Sequence, residues 1–418
     1  MPDAAIEVSL AEAQAILTAE AGQLRPGPPR RVPLERAAGR WLAAAAVAEQ
    51  DAPPWPRAMR DGFALRADDA ERGQSEGLRL RGLQRAGDLP WPEASELPAV
   101  GECVEIMTGA PVPPGADAVV MVEFTRRQGE RIVLARGVGA GENIAPRGSE
   151  LHAGSVALAA GRRLDYSGVA LLASLGEARP KVYPPPRVAV LATGDELVEV
   201  DAPPPAGGQI RNSNGPALAA LVRRAGGRPW RLPTAPDQPE AVVQRLRQAL
   251  GGAALVLVSG GASVGRFDCV QAAWRALGGE WRWDAVRIRP GRPVSFGRMP
   301  SAQAPQLCFA LPGNPVSAML CFELFVRPVI AALAGAAPAV GRPFLAARMG
   351  FAYRSKPVPM DMFVPVRLAG DFTAATVLPV PYHGSADLAA LAAADGYLRV
   401  APSQAAIAEG DWVEMLLK

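Results

Sequence analysis

Lysine is nearly absent from this 418-residue sequence: Lys181, Lys356 and Lys418 are the only three among 44 basic residues, and the rest are arginine. A GC-rich genome produces that bias. Histidine occurs twice, at His152 and His383, and Cys103, Cys269, Cys308 and Cys321 form no C-x-x-C pair. A zinc site needs closely spaced ligands of these types, so none is expected, and the thiols read as buried and reduced. No apolar run approaches the roughly 20 residues that span a bilayer. The opening MPDAAIEVSLAEAQAIL lacks the basic start and apolar core of a signal peptide. A cytoplasmic protein with no membrane partner is expected. The net charge is +3 with no block of like charge, which excludes the concentrated basic face of a nucleic-acid binder.

What is present is a folded, multidomain composition, 49% hydrophobic and 20% charged. Ser9 and Glu12 are spaced as a capping box ahead of an apolar stripe at Leu10, Ala13, Ile16 and Leu17, which predicts a helix. From about residue 45 to 150, turn signals (APPWP, GDLPWP, GAPVPPGAD, GVGAGEN) separate short segments, the pattern of a mostly β module. Helical spacing returns at Tyr166 to Leu175. After Pro184-Pro185-Pro186, near-continuous apolar strands (RVAVLAT, ALVLVSGG, QLCFALPG) alternate with amphipathic helices. That alternation predicts an α/β domain built on a parallel sheet covered on both faces. The tail reverts to short strand-like pieces. The expected fold class is therefore multidomain α/β plus β. Its parts are a helical and linker domain I (1–44 with 151–182), a mostly β domain II (45–150), an α/β domain III (183–335) and a small β domain IV (336–418).

Ligands of an open parallel sheet bind beyond the carboxyl ends of its strands. Three loops fall there. Thr193-Gly194-Asp195-Glu196 follows the first strand, and Ser259-Gly260-Gly261-Ala262-Ser263-Val264-Gly265 the second, with Asp268 beyond it. Pro312-Gly313-Asn314-Pro315 follows the last and leads into a helix carrying Ser317. Glycines let backbone N–H groups approach an anion, serine hydroxyls add donors, and a helix start adds a favourable dipole. Arg287, Arg289 and Arg292 in VRIRPGRPVSFG carry guanidinium forks suited to oxyanions. Asp195, Glu196 and Asp268 are hard oxygen ligands that suit Mg²⁺ held against phosphates. Each loop alone reads as an ordinary turn or cap; their shared position at strand ends makes them a candidate site.

These residues lie in stretches that carry a resemblance. MRDGFAL (59–65), EIMTGAPVPPGADAVV (105–120), GENIAPRGSEL (141–151), VLATGDELV (190–198), GQIRNSNGPALAAL (208–221), VSGGASVGRFD (258–268), RPGRPVSFG (289–297) and LPGNPVSAML (311–320) occur in this order. Over nearly its whole length the chain resembles the MoeA / gephyrin E-domain family of molybdopterin molybdenumtransferases. The resemblance implies four domains, the third a molybdopterin-binding α/β fold, in a homodimer. It implies insertion of molybdate into adenylyl-molybdopterin with release of AMP, assisted by Mg²⁺. Asp61 matches the family's D-G-[YF]-A aspartate, Thr108 the T-G-A threonine and Glu196 the TGDE glutamate. Asp268 matches the acid after the SGG loop, and Ser385 a serine of the last domain. Asp61, Thr108, Glu196 and Asp268 are thereby expected in catalysis. A molybdopterin adenylyltransferase and molybdoenzyme maturation proteins are the implied partners.

The sequence also departs from the family pattern. Ala58, Met59 and Arg60 stand where relatives read S-x-M before D-G, which removes a hydroxyl and adds a guanidinium beside Asp61. Glu105 replaces the usual arginine, and an Arg60–Glu105 ion pair would compensate both changes. K-P-G-K-P reads Arg289-Pro290-Gly291-Arg292-Pro293, and G-E-D reads Gly148-Ser149-Glu150. The alternative to the enzyme is a non-catalytic or tungstate-shifted paralogue acting as a molybdopterin-binding scaffold. A stand-alone adenylyltransferase would not need the flanking β domains.

Overall fold

A computed structural model describes residues 6–92, 97–260, 269–300, 306–336, 344–371 and 374–418. The chain divides into two compact units, one of residues 45–159 and 170–178, the other of the remainder.

In the smaller unit, six strands form one sheet in the order Ala118–Met121, Gly62–Leu65, Glu102–Ile106, Leu78–Gln84, Arg131–Leu134 and Thr125–Gln128. All neighbours are antiparallel except Leu78–Gln84 with Glu102–Ile106. Side chains alternate across the sheet, as strand geometry requires. Phe63, Leu65, Cys103 and Val120 pack into one cluster, and Ala64, Ile106 and Val119 into another. Gly62 sits where a Cβ would lie 1.9 Å from the Val120 carbonyl oxygen, so the strand pairing itself demands glycine there. The acid at 150 reaches Arg57 as an ion pair. No ion pair joins Arg60 to Glu105: Arg60 is exposed, and Glu105 lies on its strand opposite Phe63. That possible compensation is therefore not made.

In the larger unit the helix Leu10–Gln23 begins as its sequence predicts. Ser9 Oγ accepts from the Glu12 amide, and the Glu12 carboxylate accepts from the Ser9 amide. The α/β sheet runs Arg228–Arg231, Arg187–Ala192, Leu255–Ser259, Gln306–Leu311, Ser295–Met299 and Glu280–Trp283. The first four strands are parallel, but the last two are antiparallel, so the sheet is mixed and not wholly parallel as the sequence suggested. The physical reason is the connection: those edge strands lack the crossover helix that parallel neighbours require. Val188, Val190, Leu255, Leu257, Leu307 and Phe309 face the helices Asn214–Arg224 and Pro315–Leu333. Ala189, Leu191, Val256, Val258 and Ala310 face Pro239–Leu250 and Cys269–Ala276. Both faces are covered, which explains why the strands read as unbroken apolar runs.

The helix Pro315–Leu333, 19 residues long, has the length and apolarity to cross a membrane, contrary to the expectation that no apolar run comes near. Its most apolar stretch is 78% buried against the sheet, the environment of a core helix. It contains a π turn at Phe322–Val326 just before Pro328, which has no N–H for the helical ladder. Glu323, buried in that turn, holds both Arg224 and Arg327.

The C-terminal strands Phe344–Met349, Asp361–Gly370, Ala375–Pro379, Gly396–Val400 and Trp412–Leu417 close on themselves, because Asp361–Gly370 pairs with both Ala375–Pro379 and Gly396–Val400. The result is a small barrel filled by Ala347, Met349, Val366, Val377, Leu398 and Met415. Closure leaves the ring without unpaired edges. The strand Ile288–Arg289 docks on it through Ile288 opposite Asp361, which carries Arg289 from the α/β sheet to the barrel.

Candidate functional site

A cleft of about 1530 Å³ opens within the larger unit, where the carboxyl ends of the parallel strands meet the barrel. It exceeds the roughly 300–1,000 Å³ usual for a small-ligand site, leaving room for an extended ligand with more than one group.

Its floor is built from the strand ends. The Thr193 amide donates to the Ser259 carbonyl, and the Gly260 amide to that of Leu311, so the three strand-end loops lie side by side. Gly260 has φ +99, and a Cβ there would lie 2.2 Å from the Thr193 carbonyl oxygen. Only glycine permits that approach. Asn214, at the start of its helix, donates through Nδ2 to Ser259 Oγ and to the Gly313 carbonyl, each at 2.7 Å. Its Oδ1 and Thr193 Oγ1 are buried without a hydrogen-bond partner.

The loop after the last parallel strand is tied to the C-terminal barrel. Asn314 Nδ2 donates to Ser385 Oγ at 2.9 Å, and the Val316 amide donates to the Ser385 carbonyl at 3.0 Å. The first helical N–H groups are therefore partly used by the protein itself. Ser317 is buried and lines the cleft, as do Pro312, Gly313, Asn314, Pro315 and Ser385.

Arg211, Arg289 and Arg292 also line the cleft, and the Arg211 guanidinium donates to the Glu199 and Ala202 carbonyls. The Arg289 guanidinium makes no hydrogen bond or ion pair among the described residues. Arg292 Nε donates to the Glu7 carboxylate at 2.7 Å. Arg287 is drawn off toward Glu12, 3.5 Å away, and does not line the cleft.

Of the acids expected here, Glu196 lines the cleft. Gly194 and Asp195 do not; Asp195 turns its Oδ1 to the Asp237 amide at 3.2 Å. Burial, with the nearby charges of Asp195 and Glu196, pushes the Asp237 carboxyl above its ordinary range. Negative charge is thus crowded beside the floor with no basic partner among the described residues. No three His, Cys, Asp or Glu side chains among those residues converge to hold a metal alone. Gly261, Ser263, Gly265 and Asp268 lie outside the described residues.

Asp61 and Thr108 meet in the smaller unit. The pairing of Gly62 with Ile106 brings them together, and Asp61 Oδ1 accepts from the Thr108 amide at 2.6 Å and its hydroxyl at 2.7 Å. The backbone N–H first, then the hydroxyl, hold the exposed Asp61 carboxyl below the usual carboxylate range.

Sequence reasoning missed the segment between the first two barrel strands: Phe351, Tyr353, Ser355 and Lys356 all line the cleft. Lys356 has no ion-pair partner among the described residues. The available signal was its rarity, a lysine kept in a chain that otherwise uses arginine. Asn212 was also passed over. Its Oδ1 accepts from the Gly215 amide, and its Nδ2 lies 3.2 Å from Glu199, which also binds Thr234 and Arg231.

Comparison with known proteins agrees along the chain. Residues 8–176 match the MoeA N-terminal region (domains I and II), residues 189–332 a "probable molybdopterin binding domain", and residues 346–418 the MoeA C-terminal region (domain IV). A molybdopterin molybdenumtransferase of Nostoc sp. is 36% identical over 309 residues, covering 73% of this chain and 70% of its own. One from Staphylococcus aureus is 30% identical over 387 residues, 92% of this chain and 90% of its own. A crystal structure of the molybdopterin biosynthesis MoeA protein of Pyrococcus horikoshii superposes with a TM-score of 0.74 at 27% identity, covering 98% of this chain and all of that one.

Proposed function

The chain belongs to the MoeA family of molybdopterin molybdenumtransferases, and from that premise we propose how its own residues divide the work of inserting molybdenum into molybdopterin. The observation that carries the reading is the cleft itself. Three strand ends (Thr193, Ser259 with Gly260, and Pro312 with Gly313), the side chains of Arg211, Arg289, Arg292 and Lys356, and the Glu196 carboxylate line a volume of about 1530 Å³.

The enzyme takes adenylyl-molybdopterin and molybdate and releases AMP. Thr193, Ser259, Gly260, Pro312, Gly313, Asn314 and Pro315 receive the phosphates and pterin, with Ser317 and Ser385 as hydroxyl donors. Gly194, Gly261, Ser263 and Gly265 complete the loops. Phe351 and Tyr353 offer flat surface for the pterin ring. Arg289 and Arg292 gather the doubly charged oxyanion, since guanidinium is always charged and its fork matches tetrahedral oxyanions. Lys356 adds a point charge from the segment that leads into Asp361–Gly370.

Mg²⁺ fits the donor set through the charge it meets. Burial first, then the charges of Asp195 and Glu196, push the Asp237 carboxyl above its ordinary range, and no arginine or lysine pairs with any of the three among the described residues. Mg²⁺ typically takes one or two carboxylates and fills its sphere with water and phosphate oxygens. Glu196, with Asp268, would hold it, whereas Asp195 would have to leave the Asp237 amide to join them; when bound, the ion would supply Lewis-acid polarisation of the phosphoanhydride. Asp61 is assigned the proton-accepting or water-orienting role, with Thr108 keeping it ionised and aimed.

A cytoplasmic homodimer, supplied by a molybdopterin adenylyltransferase and delivering to molybdoenzyme maturation proteins, belongs to the same proposal. The scaffold alternative and a tungstate shift find no support among the relatives. Molybdate-dependent AMP release by the purified protein tests the reading. Release that is absent from the wild type, or undiminished in Glu196→Gln, would overturn it.

A further inference from the structure

The strand Glu7–Val8 pairs in parallel with Ala285–Val286, directly ahead of the arginine loop. Backbone contacts fix it: the Asp284 amide donates to the Ile6 carbonyl, and the Arg287 amide to that of Val8. The Glu7 side chain is free to do something else, and it accepts from Arg292 Nε at 2.7 Å. Glu7 is not a lining residue of the cleft, whereas Arg292 is. The contact therefore comes from behind.

The Arg292 backbone is fixed as well. Its carbonyl accepts from the amides of Val286 and Val294, at 3.0 and 2.9 Å. With the carbonyl and Nε both held, the two terminal nitrogens are left without a partner among the described residues. Arg289, three positions earlier, has no such support. One loop thus carries a braced guanidinium and an unbraced one.

From this we infer that Glu7 is a positioning residue for oxyanion binding, orienting Arg292 so that its terminal nitrogens serve the cleft. The inference rests on Arg292 being an oxyanion ligand. Stability is a poor explanation of the pair, because Glu7 and Arg292 side chains are 32% and 55% exposed. Exposed ion pairs contribute little to folding. Preorganisation is a better one, since a long side chain ordered in advance need not be ordered on binding. The carboxylate also opposes an incoming dianion, so the account separates the hydrogen bond from the charge.

The test measures AMP release against molybdate concentration for wild type, Glu7→Ala, Glu7→Gln, Arg292→Gln and Glu7→Ala/Arg292→Gln. Glu7→Ala is expected to raise KM for molybdate about two- to twelvefold, the ordering cost of one such side chain. Its kcat at saturating molybdate and its thermal midpoint should stay close to wild type, because backbone pairing keeps the strand in place. Glu7→Gln, whose amide oxygen still accepts from Nε, should restore KM to the wild-type value or below. Glu7→Ala should have no further effect once Arg292 is replaced. An unchanged or lowered KM in Glu7→Ala overturns the inference, as does an equal effect in the Arg292→Gln background. If Arg292→Gln alone leaves KM unchanged, the oxyanion role of Arg292 falls, and this inference with it.

Discussion

Asn214 binds two loops of the cleft floor together, its Nδ2 donating both to Ser259 Oγ and to the Gly313 carbonyl at 2.7 Å. Replacing it with alanine leaves a buried hydroxyl and a carbonyl short of a donor, which costs about 1–3 kcal/mol. Urea unfolding of Asn214→Ala should show that loss, together with a raised KM for adenylyl-molybdopterin. Wild-type values of both would mean that the floor does not depend on this link.

Two neighbouring glycines should behave differently. Gly260→Ala places a methyl against the Thr193 carbonyl at a positive φ, a conflict on the order of 3 kcal/mol. At Gly313 the nearest atom to a new Cβ is 3.8 Å away, so Gly313→Ala should change stability by no more than about 1 kcal/mol. Denaturation midpoints of the two variants check the contrast.

The Asp61–Thr108 contact predicts a pH effect with a definite sign. Hydrogen bonds from Thr108 lower the Asp61 pKa, so the reactive carboxylate persists to lower pH. Thr108→Val removes the hydroxyl donor but keeps the backbone N–H, which is the larger contributor. The acidic limb of the kcat–pH profile should move up in pH without disappearing. A limb that stays in place would remove Asp61 from that titration.

Cys269 is only half-buried, contrary to the expectation for all four thiols, but the other three should be inert in the folded enzyme. Burial, aided by Glu102 and Glu105, pushes Cys103 up to about 12, and burial alone pushes Cys308 and Cys321 well above the ordinary thiol range. Since the thiolate is the reactive form, iodoacetamide at pH 8 should label these three only after unfolding. Labelling of any of the three in native protein would contradict their burial.

Much of the architecture was legible because it is written in local periodicity. The apolar runs around Val190, Val256 and Phe309 gave the parallel core, and Ser9 with Glu12 gave a helix start that the structure reproduces. The three strand-end loops were found because the chemistry of an α/β sheet collects there. The antiparallel strand Ser295–Met299 was not legible, since VRIRPGRPVSFG reads first as a cationic loop. Barrel closure between Asp361–Gly370 and Gly396–Val400 is a long-range register that no local pattern encodes. For the same reason Phe351, Tyr353 and Lys356 could not be assigned to the cleft. Nor could Glu7, which meets Arg292 across 285 positions.

The most direct test of the central claim is AMP release from adenylyl-molybdopterin by the purified protein with Mg²⁺ and micromolar molybdate. The account predicts release that depends on molybdate and is lost in Asp61→Asn. Tight binding of adenylyl-molybdopterin without molybdate-dependent release would contradict it.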